Sequence, residues 1–224
     1  MKFSARKIST AVAAVLLAAG MSSHAQASVT YTFTNTEVNA FGSGPFGTVK
    51  LTQTGANMAV SVVLAPNFNF VNTGNHSIFS FNSIGVAASD ISNILFNGLP
   101  DSKVTVVAPG TNPPFGKTFT FMLDCTANGC ANGAPGQHDD PLTFTIANAG
   151  YADFGIMGTA KAFFAADVIC SFNGCNGRTG AVGVVNAGVD DGGGGPSGDP
   201  LPEPVSISLF ALGLAGLAAA RRRR

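Results

Sequence analysis

The chain has 224 residues, of which 46% are hydrophobic and 11% are charged, with 28 glycines, 18 phenylalanines and no tryptophan. This composition is typical of a β-rich protein with many turns and excludes a coiled coil, which needs Ala, Glu, Lys and Leu at heptad spacing. The formal charge of zero hides an uneven distribution, because residues 28–204 carry five cations and twelve acids, a net charge of −7. That sign excludes the basic surface of a nucleic-acid-binding protein, so we expect no nucleic-acid partner.

Residues 1–27 have the pattern of a secretory signal peptide, in which a cationic region, an apolar run and a small-residue cleavage site follow one another. These three parts are Lys2, Arg6 and Lys7, then residues 11–20, then Ala25 and Ala27. The apolar run is too short for a membrane span. We therefore predict export by the general secretion machinery and cleavage by signal peptidase between Ala27 and Ser28.

The exported domain, residues 28–188, is predicted to be all-β, an antiparallel β-sandwich or jelly-roll-like body. Apolar and polar residues alternate with period two in many short segments, which is the pattern of half-buried strands. These segments are 29–34, 48–52, 58–62, 78–81, 103–106, 118–121 and 142–146. Residues 162–169 are predicted to be a final core strand, and residues 87–95 one short helix.

The four cysteines form two similar segments. Cys125 and Cys130 are separated by four residues, as are Cys170 and Cys175, and Asn-Gly precedes the second cysteine of each pair. Asn-Gly favours a tight turn, and export places the thiols in an oxidising compartment, so we predict two local disulfides. The other two pairings would link the loops across the sheet. A zinc site with four cysteine ligands is the rival interpretation, although the commonest spacing within each pair is shorter.

Few residues of the body carry recognisable chemistry. The cluster His138, Asp139 and Asp140 is able to bind a metal or to act as an acid–base pair, but its turn-rich surroundings favour a solvated loop. His76 precedes a strand, where a capping or loop hydrogen bond is favoured over metal ligation. We therefore predict no catalytic residue, no metal site and no cofactor.

Other patterns also favour structural roles. Phe68, Phe70 and Phe115 are able to stack on sugar rings, but packing in the core is the preferred interpretation. Asp190 and Asp191 precede four glycines, which supply none of the side-chain ligands that a calcium loop needs. The chain contains no Gly-x-Ser-x-Gly or phosphate-loop motif.

The C-terminal end combines a linker with an apolar segment. Residues 189–201 are rich in Gly, Asp and Pro and predict a linker. Pro202, Glu203 and Pro204 favour an extended backbone. Residues 205–220 are sixteen uncharged residues that predict a transmembrane helix about 24 Å long. Arg221, Arg222, Arg223 and Arg224 then extend the segment to the interface and hold that end in the cytoplasm.

Residues 202–224 resemble the PEP-CTERM sorting signal of Gram-negative bacteria, which has the same three parts in the same order. The resemblance implies an exosortase, a membrane protease-transpeptidase, as partner. It also implies a transient inner-membrane anchor, a final place on the cell surface or outside the cell, and association with exopolysaccharide in a biofilm matrix. A permanent tail anchor is one rival. A sortase signal is the other, although residues 201–205 lack the Thr-Gly that sortase cleaves.

The expected function is that of a non-enzymatic surface or extracellular matrix protein associated with exopolysaccharide. The alternative is a secreted hydrolase that acts on matrix carbohydrate, for which the body has enough carboxylates but no pair that stands out. A purely structural coat component is a third possibility. Turnover of carbohydrate would indicate the hydrolase, and binding without turnover the matrix protein. Self-assembly in the absence of sugar would indicate the coat component.

Overall fold

The computed structural model describes residues 27–113, 115–126, 130, 133–156 and 160–185. These residues form fifteen β-strands and four 3-10 helices, with no α-helix among them. The strands are β1 (Ser28–Phe33), β2 (Asn35–Thr36), β3 (Gly47–Thr54), β4 (Asn57–Leu64), β5 (Phe68–Phe70), β6 (Phe79–Phe81), β7 (Ile91–Phe96), β8 (Leu99–Pro100), β9 (Val104–Val107), β10 (Gly110–Asn112), β11 (Gly116–Phe119), β12 (Phe121–Cys125), β13 (Leu142–Ile146), β14 (Phe164–Cys170) and β15 (Thr179–Val184). The 3-10 helices are Asn39–Phe41, Ala88–Asp90, Ala134–Gly136 and Tyr151–Asp153.

Every strand pairing in the described chain is antiparallel, which confirms the predicted all-β class. One sheet has six strands in the order β1-β3-β4-β13-β7-β8. The other has seven, in the order β2-β15-β14-β6-β12-β9 with β5 added beside β14. One edge of β14 is shared, because its first half pairs with β6 and its second half with β5. A separate hairpin joins β10 and β11.

Because apolar and polar residues alternate along the strands, one row of apolar side chains from each sheet points into a common core. In β1 and β13 every second residue is buried. Aromatic rings from the two sheets meet there: the ring centroids of Tyr31 and Phe164 are 5.0 Å apart, and those of Phe79 and Phe144 are 5.9 Å apart. Burial of these large rings is the main source of stability for such a body.

Strand β14 is buried along its whole length, which requires cover on both faces. A second apolar cluster provides the outer cover, where Phe115 and Phe119 pack against Ala165 and Ala181. Small residues on the outer face of the sheet allow this close approach. A Cβ atom at Gly183 would lie 2.6 Å from the Phe115 ring. The β10–β11 hairpin therefore docks on a part of the sheet made of small residues.

The prediction of a helix at residues 87–95 is wrong. Only a 3-10 turn at Ala88–Asp90 forms, and β7 (Ile91–Phe96) follows it. A register irregularity in the pairing of β7 with β13 interrupts the period-two alternation. The irregularity allows the apolar residues Ile91, Ile94 and Leu95 to occur in a strand at the spacing of one face of a helix, which explains the wrong prediction.

Two strand predictions also need correction. Residues 118–121 are not one strand, because β11 ends at Phe119 and β12 begins at Phe121. Thr120 lies at the break, and its backbone N–H donates to Asn82 Oδ1 at 3.0 Å. Residues 162–169 correspond to β14, but β15 follows as the last strand of the described chain.

The signal peptide, the linker and the predicted transmembrane helix lie outside the described residues. So do Pro202, Glu203, Pro204 and Arg221 to Arg224. Within the described ranges, no helix has the length and apolar character needed to cross a membrane.

Candidate functional site

A polar cleft of about 370 Å³ opens beside the seven-stranded sheet. One wall is the loop that joins β5 to β6, and the other is formed by β10, β11 and β12. Among its lining side chains are two amides, an imidazole, a hydroxyl, an ammonium group and a carboxylate: Asn72, Asn75, His76, Thr111, Lys117 and Asp124. The cleft thus presents donors and acceptors of several kinds within a small volume.

His76 is held between two carboxylates. Its Nε2 lies 3.2 Å from Glu37 Oε1, and its Nδ1 lies 3.4 Å from Asp167 Oδ1. Asp167 raises the pKa of His76 above its ordinary value and Glu37 adds to the effect, whereas burial opposes it. Since both ring nitrogens face carboxylates, this imidazole is not placed to accept a proton from a molecule in the cleft.

Asp167 is the buried member of this group, with no exposed surface. Its Oδ2 accepts hydrogen bonds from the Thr73 backbone N–H at 2.6 Å and the Thr73 hydroxyl at 2.7 Å. Its Oδ1 has no hydrogen-bond partner among the described residues and faces His76. A buried carboxylate is costly without compensation, so a protonated His76 is its natural counter-charge.

Asn72 and Asp124 both line the cleft and are joined by a hydrogen bond. Asn72 Nδ2 donates to the His76 carbonyl oxygen at 3.0 Å and also to Asp124 Oδ1. The Cys125 backbone N–H donates to the same carboxylate oxygen at 2.8 Å. These bonds hold the amide and the carboxylate in one orientation, which lowers the entropy lost when a polar ligand binds.

A second cluster lies where the two sheets meet at one edge. The structure pairs Cys125 with Cys130 as a disulfide, the local pairing that the sequence predicts. His138 Nε2 lies 3.4 Å from the Cys130 sulfur and 4.0 Å from the Cys125 sulfur. Its Nδ1 lies 3.1 Å from Asp101 Oδ2.

His138 is fixed in position by its surroundings. Its side chain is only 7% exposed, and its ring stacks on Phe96 with centroids 4.5 Å apart. Its backbone N–H donates to the Phe70 carbonyl oxygen at 2.8 Å. Burial lowers the pKa of His138, although Asp101 opposes the shift. The interpretation of this residue as part of a solvated loop is therefore wrong.

The neighbouring acids do not join His138 in one site. Asp140 Oδ1 accepts the Leu64 backbone N–H at 2.9 Å, and burial raises the pKa of Asp140. Asp139 is exposed. The carboxylate that contacts the imidazole is Asp101, so the candidate cluster of His138, Asp139 and Asp140 does not form one site. His76 makes the expected loop hydrogen bond, from its backbone N–H to the Thr73 carbonyl oxygen at 3.0 Å, and its ring additionally contacts the carboxylates of Glu37 and Asp167.

The second disulfide joins Cys170 to Cys175. Both residues are buried, at 1% and 0% exposure, and the described structure brings no third metal-ligand atom to this pair. The two cysteine segments thus share spacing and pairing but differ in their surroundings. Phe68, Phe70 and Phe115 are all buried as well, which confirms packing rather than sugar stacking for these rings.

The sequence analysis did not predict the four acidic residues of these clusters: Glu37, Asp101, Asp124 and Asp167. Asp167 is the one with a visible signal, because an acid in the middle of an apolar strand requires a partner. Its partners are far away along the chain, so the sequence pattern could not name them.

Comparison of the chain with protein-family models, with characterised proteins and with solved structures gives no match.

Proposed function

We propose that this chain is an exported protein of the cell surface or extracellular matrix. Its tail, residues 202–224, anchors it in the inner membrane until an exosortase processes it. Its β-sandwich body then binds matrix polysaccharide without turning it over. The observation that carries the binding function is the polar cleft beside His76. Cooperating amide, hydroxyl and carboxylate groups are the groups that pair with sugar hydroxyls.

Two features of the cleft support binding over hydrolysis. Both nitrogens of His76 face carboxylates, so the ring is not free to transfer protons. Oδ1 of Asp124 already accepts bonds from Asn72 and from a backbone N–H. Hydrolysis of a glycosidic bond needs a general acid and a second carboxylate across the scissile bond. The secreted hydrolase remains the alternative outcome of the test.

The charge of the body supports a preference among polysaccharides. Residues 28–204 carry a net charge of −7, which repels a polyanion at low ionic strength. Neutral polysaccharide is therefore the expected ligand class, with hydrogen bonds rather than ion pairs as the main contacts.

The binding test uses host matrix polysaccharide separated into neutral and anionic fractions, with isothermal titration calorimetry as the measurement. The native chain should bind the neutral fraction, and Asn75→Ala or Lys117→Ala should weaken binding roughly tenfold, as expected for one lost hydrogen bond. Lys50→Ala is the matched control, because Lys50 is exposed on β3, outside the cleft. Release of reducing ends by the native chain would establish the hydrolase instead. Equal binding by all three variants would refute the cleft as the polysaccharide-binding site.

The processing test uses the intact mass of the protein from its native host, with the exosortase present and deleted. We expect a product that begins at Ser28 and ends near Pro204, and that is lost on deletion. A product that keeps Arg221 to Arg224 in both strains would make the tail a permanent anchor. Extra mass on the new end would identify the group to which the chain is joined.

A further inference from the structure

The half-buried disulfide at the edge of the two sheets lies against an imidazole nitrogen. The sulfur atoms of Cys125 and Cys130 and the Nε2 atom of His138 all lie within 4.8 Å of one another. We propose that these three side chains form a redox-gated binding site for a soft divalent cation such as Zn²⁺. The disulfide closes the site, and reduction opens it.

The distances fit a tetrahedral ion. Zn–S bonds of about 2.3 Å and Zn–N bonds of about 2.1 Å place the ligand atoms about 3.6 Å apart. The two distances from His138 Nε2 to the sulfurs, 3.4 Å and 4.0 Å, lie on either side of that value. Two thiolates on one zinc lie about 3.8 Å apart, so after reduction the sulfurs need only separate by side-chain rotation.

The imidazole is already oriented as a ligand. An ionised Asp101 has acceptor atoms only, so Nδ1 of the neutral His138 ring carries the proton and donates it to Asp101. The lone pair of Nε2 therefore points towards the sulfurs. Carboxylate–histidine–metal chains of this kind are common in zinc sites, where the carboxylate fixes the tautomer and the ring. The Phe96 ring stacks on the imidazole with an interplanar angle of 28° and so restricts rotation of the His138 side chain.

The gate is a two-electron step. A small dithiol reduces the disulfide: its two thiols become a disulfide, and Cys125 and Cys130 each receive an electron and a proton. Zn²⁺ then displaces both thiol protons and binds two thiolates and His138, with the fourth position left to water. Cys125 and Cys130 are partly exposed, whereas Cys170 and Cys175 are buried. Mild reduction should therefore open the first pair before the second.

The test titrates Co²⁺ and then Zn²⁺ into the full-length chain, oxidised and after mild reduction. We expect one Co²⁺ per reduced chain with thiolate-to-cobalt charge-transfer absorption, its displacement by Zn²⁺, and no binding by the oxidised chain. His138→Phe, which keeps a ring beside Phe96, should weaken binding by more than about 100-fold, and Asp101→Asn by about 10- to 100-fold. Cys125→Ser combined with Cys130→Ser keeps the other disulfide and should bind nothing.

Absence of binding by the reduced chain would overturn the proposal, as would equal affinity in His138→Phe. Circular dichroism checks that reduction leaves the fold intact. If reduction destabilises the body, the melting temperature is measured instead, because a metal that binds only the folded state must raise it. Zn²⁺ should then raise the melting temperature of the reduced native chain and not that of the double serine variant. No rise in the native chain would count against the site.

Discussion

Asp167 illustrates how one polar residue is accommodated inside an apolar strand. Its carboxylate is fully buried and depends on three groups from a single loop: the backbone N–H and hydroxyl of Thr73, and the ring of His76. Leaving such a group without partners would cost about 1–3 kcal/mol or more. The loop that forms one wall of the cleft is consequently tied to the centre of the sheet.

This ion pair makes stability depend on pH. Asp167 raises the pKa of His76, so the folded chain holds this proton to higher pH than the unfolded chain, whose ordinary value is 6.5. The stabilisation is complete below that value and is lost as pH rises through the folded-state pKa. We expect the free energy of unfolding of the native chain, relative to His76→Gln, to fall as the pH rises above 6.5 and through the raised folded-state pKa of His76, measured by urea denaturation.

The control for this prediction is the same comparison in an Asp167→Asn background. There the main cause of the raised pKa is absent, so the pH dependence of the difference should largely disappear. A difference between native chain and His76→Gln that stays constant with pH would contradict the ion pair.

At the scale of elements, the β10–β11 hairpin shows how sequence and packing depend on each other. The hairpin covers the outer face of β14 and β15, where it meets Ala165, Ala181 and Gly183. Side chains larger than these would hold the hairpin away from the sheet. Because the hairpin contributes the cleft residues Thr111 and Lys117, its docking also determines the shape of the cleft.

We predict that Gly183→Ala destabilises the chain by about 1–3 kcal/mol, because the new Cβ would overlap the tightly packed ring of Phe115. Gly150→Ala is the matched control, since its Cβ would meet no atom closer than 3.9 Å. Urea denaturation measures both. Combining Gly183→Ala with Phe115→Leu should cost less than the sum of the two single changes, as expected for residues in contact. If the two costs are additive, the destabilisation by Gly183→Ala does not come from its contact with Phe115.

The elements also differ in how well their sequences predict them. Strands β1, β4 and β13 were predicted because they have clear alternation, with one face buried and the other mostly partly buried. Strand β7 was mistaken for a helix, since its irregular pairing with β13 disturbs the alternation. Strand β15 was missed because three of its six residues are Gly or Ala, which have low strand propensity. Glycine is needed at positions 180 and 183 because Val38, in the loop after β2, and Phe115, in the hairpin, lie where a Cβ atom would stand.

At the scale of the whole described molecule, the core is shared by the two sheets. Phe79 of one sheet contacts Phe144 of the other, and similar ring contacts continue along the interface. Neither sheet buries its apolar face without the other. The body should therefore unfold in a single transition.

The test of this shared core is Phe144→Ala. Phe144 is 3% exposed, so the change should cost about 3–5 kcal/mol and shift one cooperative urea transition to lower concentration. Leu99→Ala is the surface control, because Leu99 is 69% exposed and its truncation should change stability by about 0.5 kcal/mol or less. Two separate transitions in the native chain would mean that the sheets fold independently.

Local patterns in the sequence were sufficient for the all-β class, for about half of the strands and for the pairing of cysteines across short Asn-Gly turns. These features depend on residues only a few positions apart. The clusters around His76 and His138 were decided by the tertiary structure, since Glu37, Asp101 and Asp167 come from distant parts of the chain. A single sequence records which groups need a partner, but the pairing of the strands determines which groups meet.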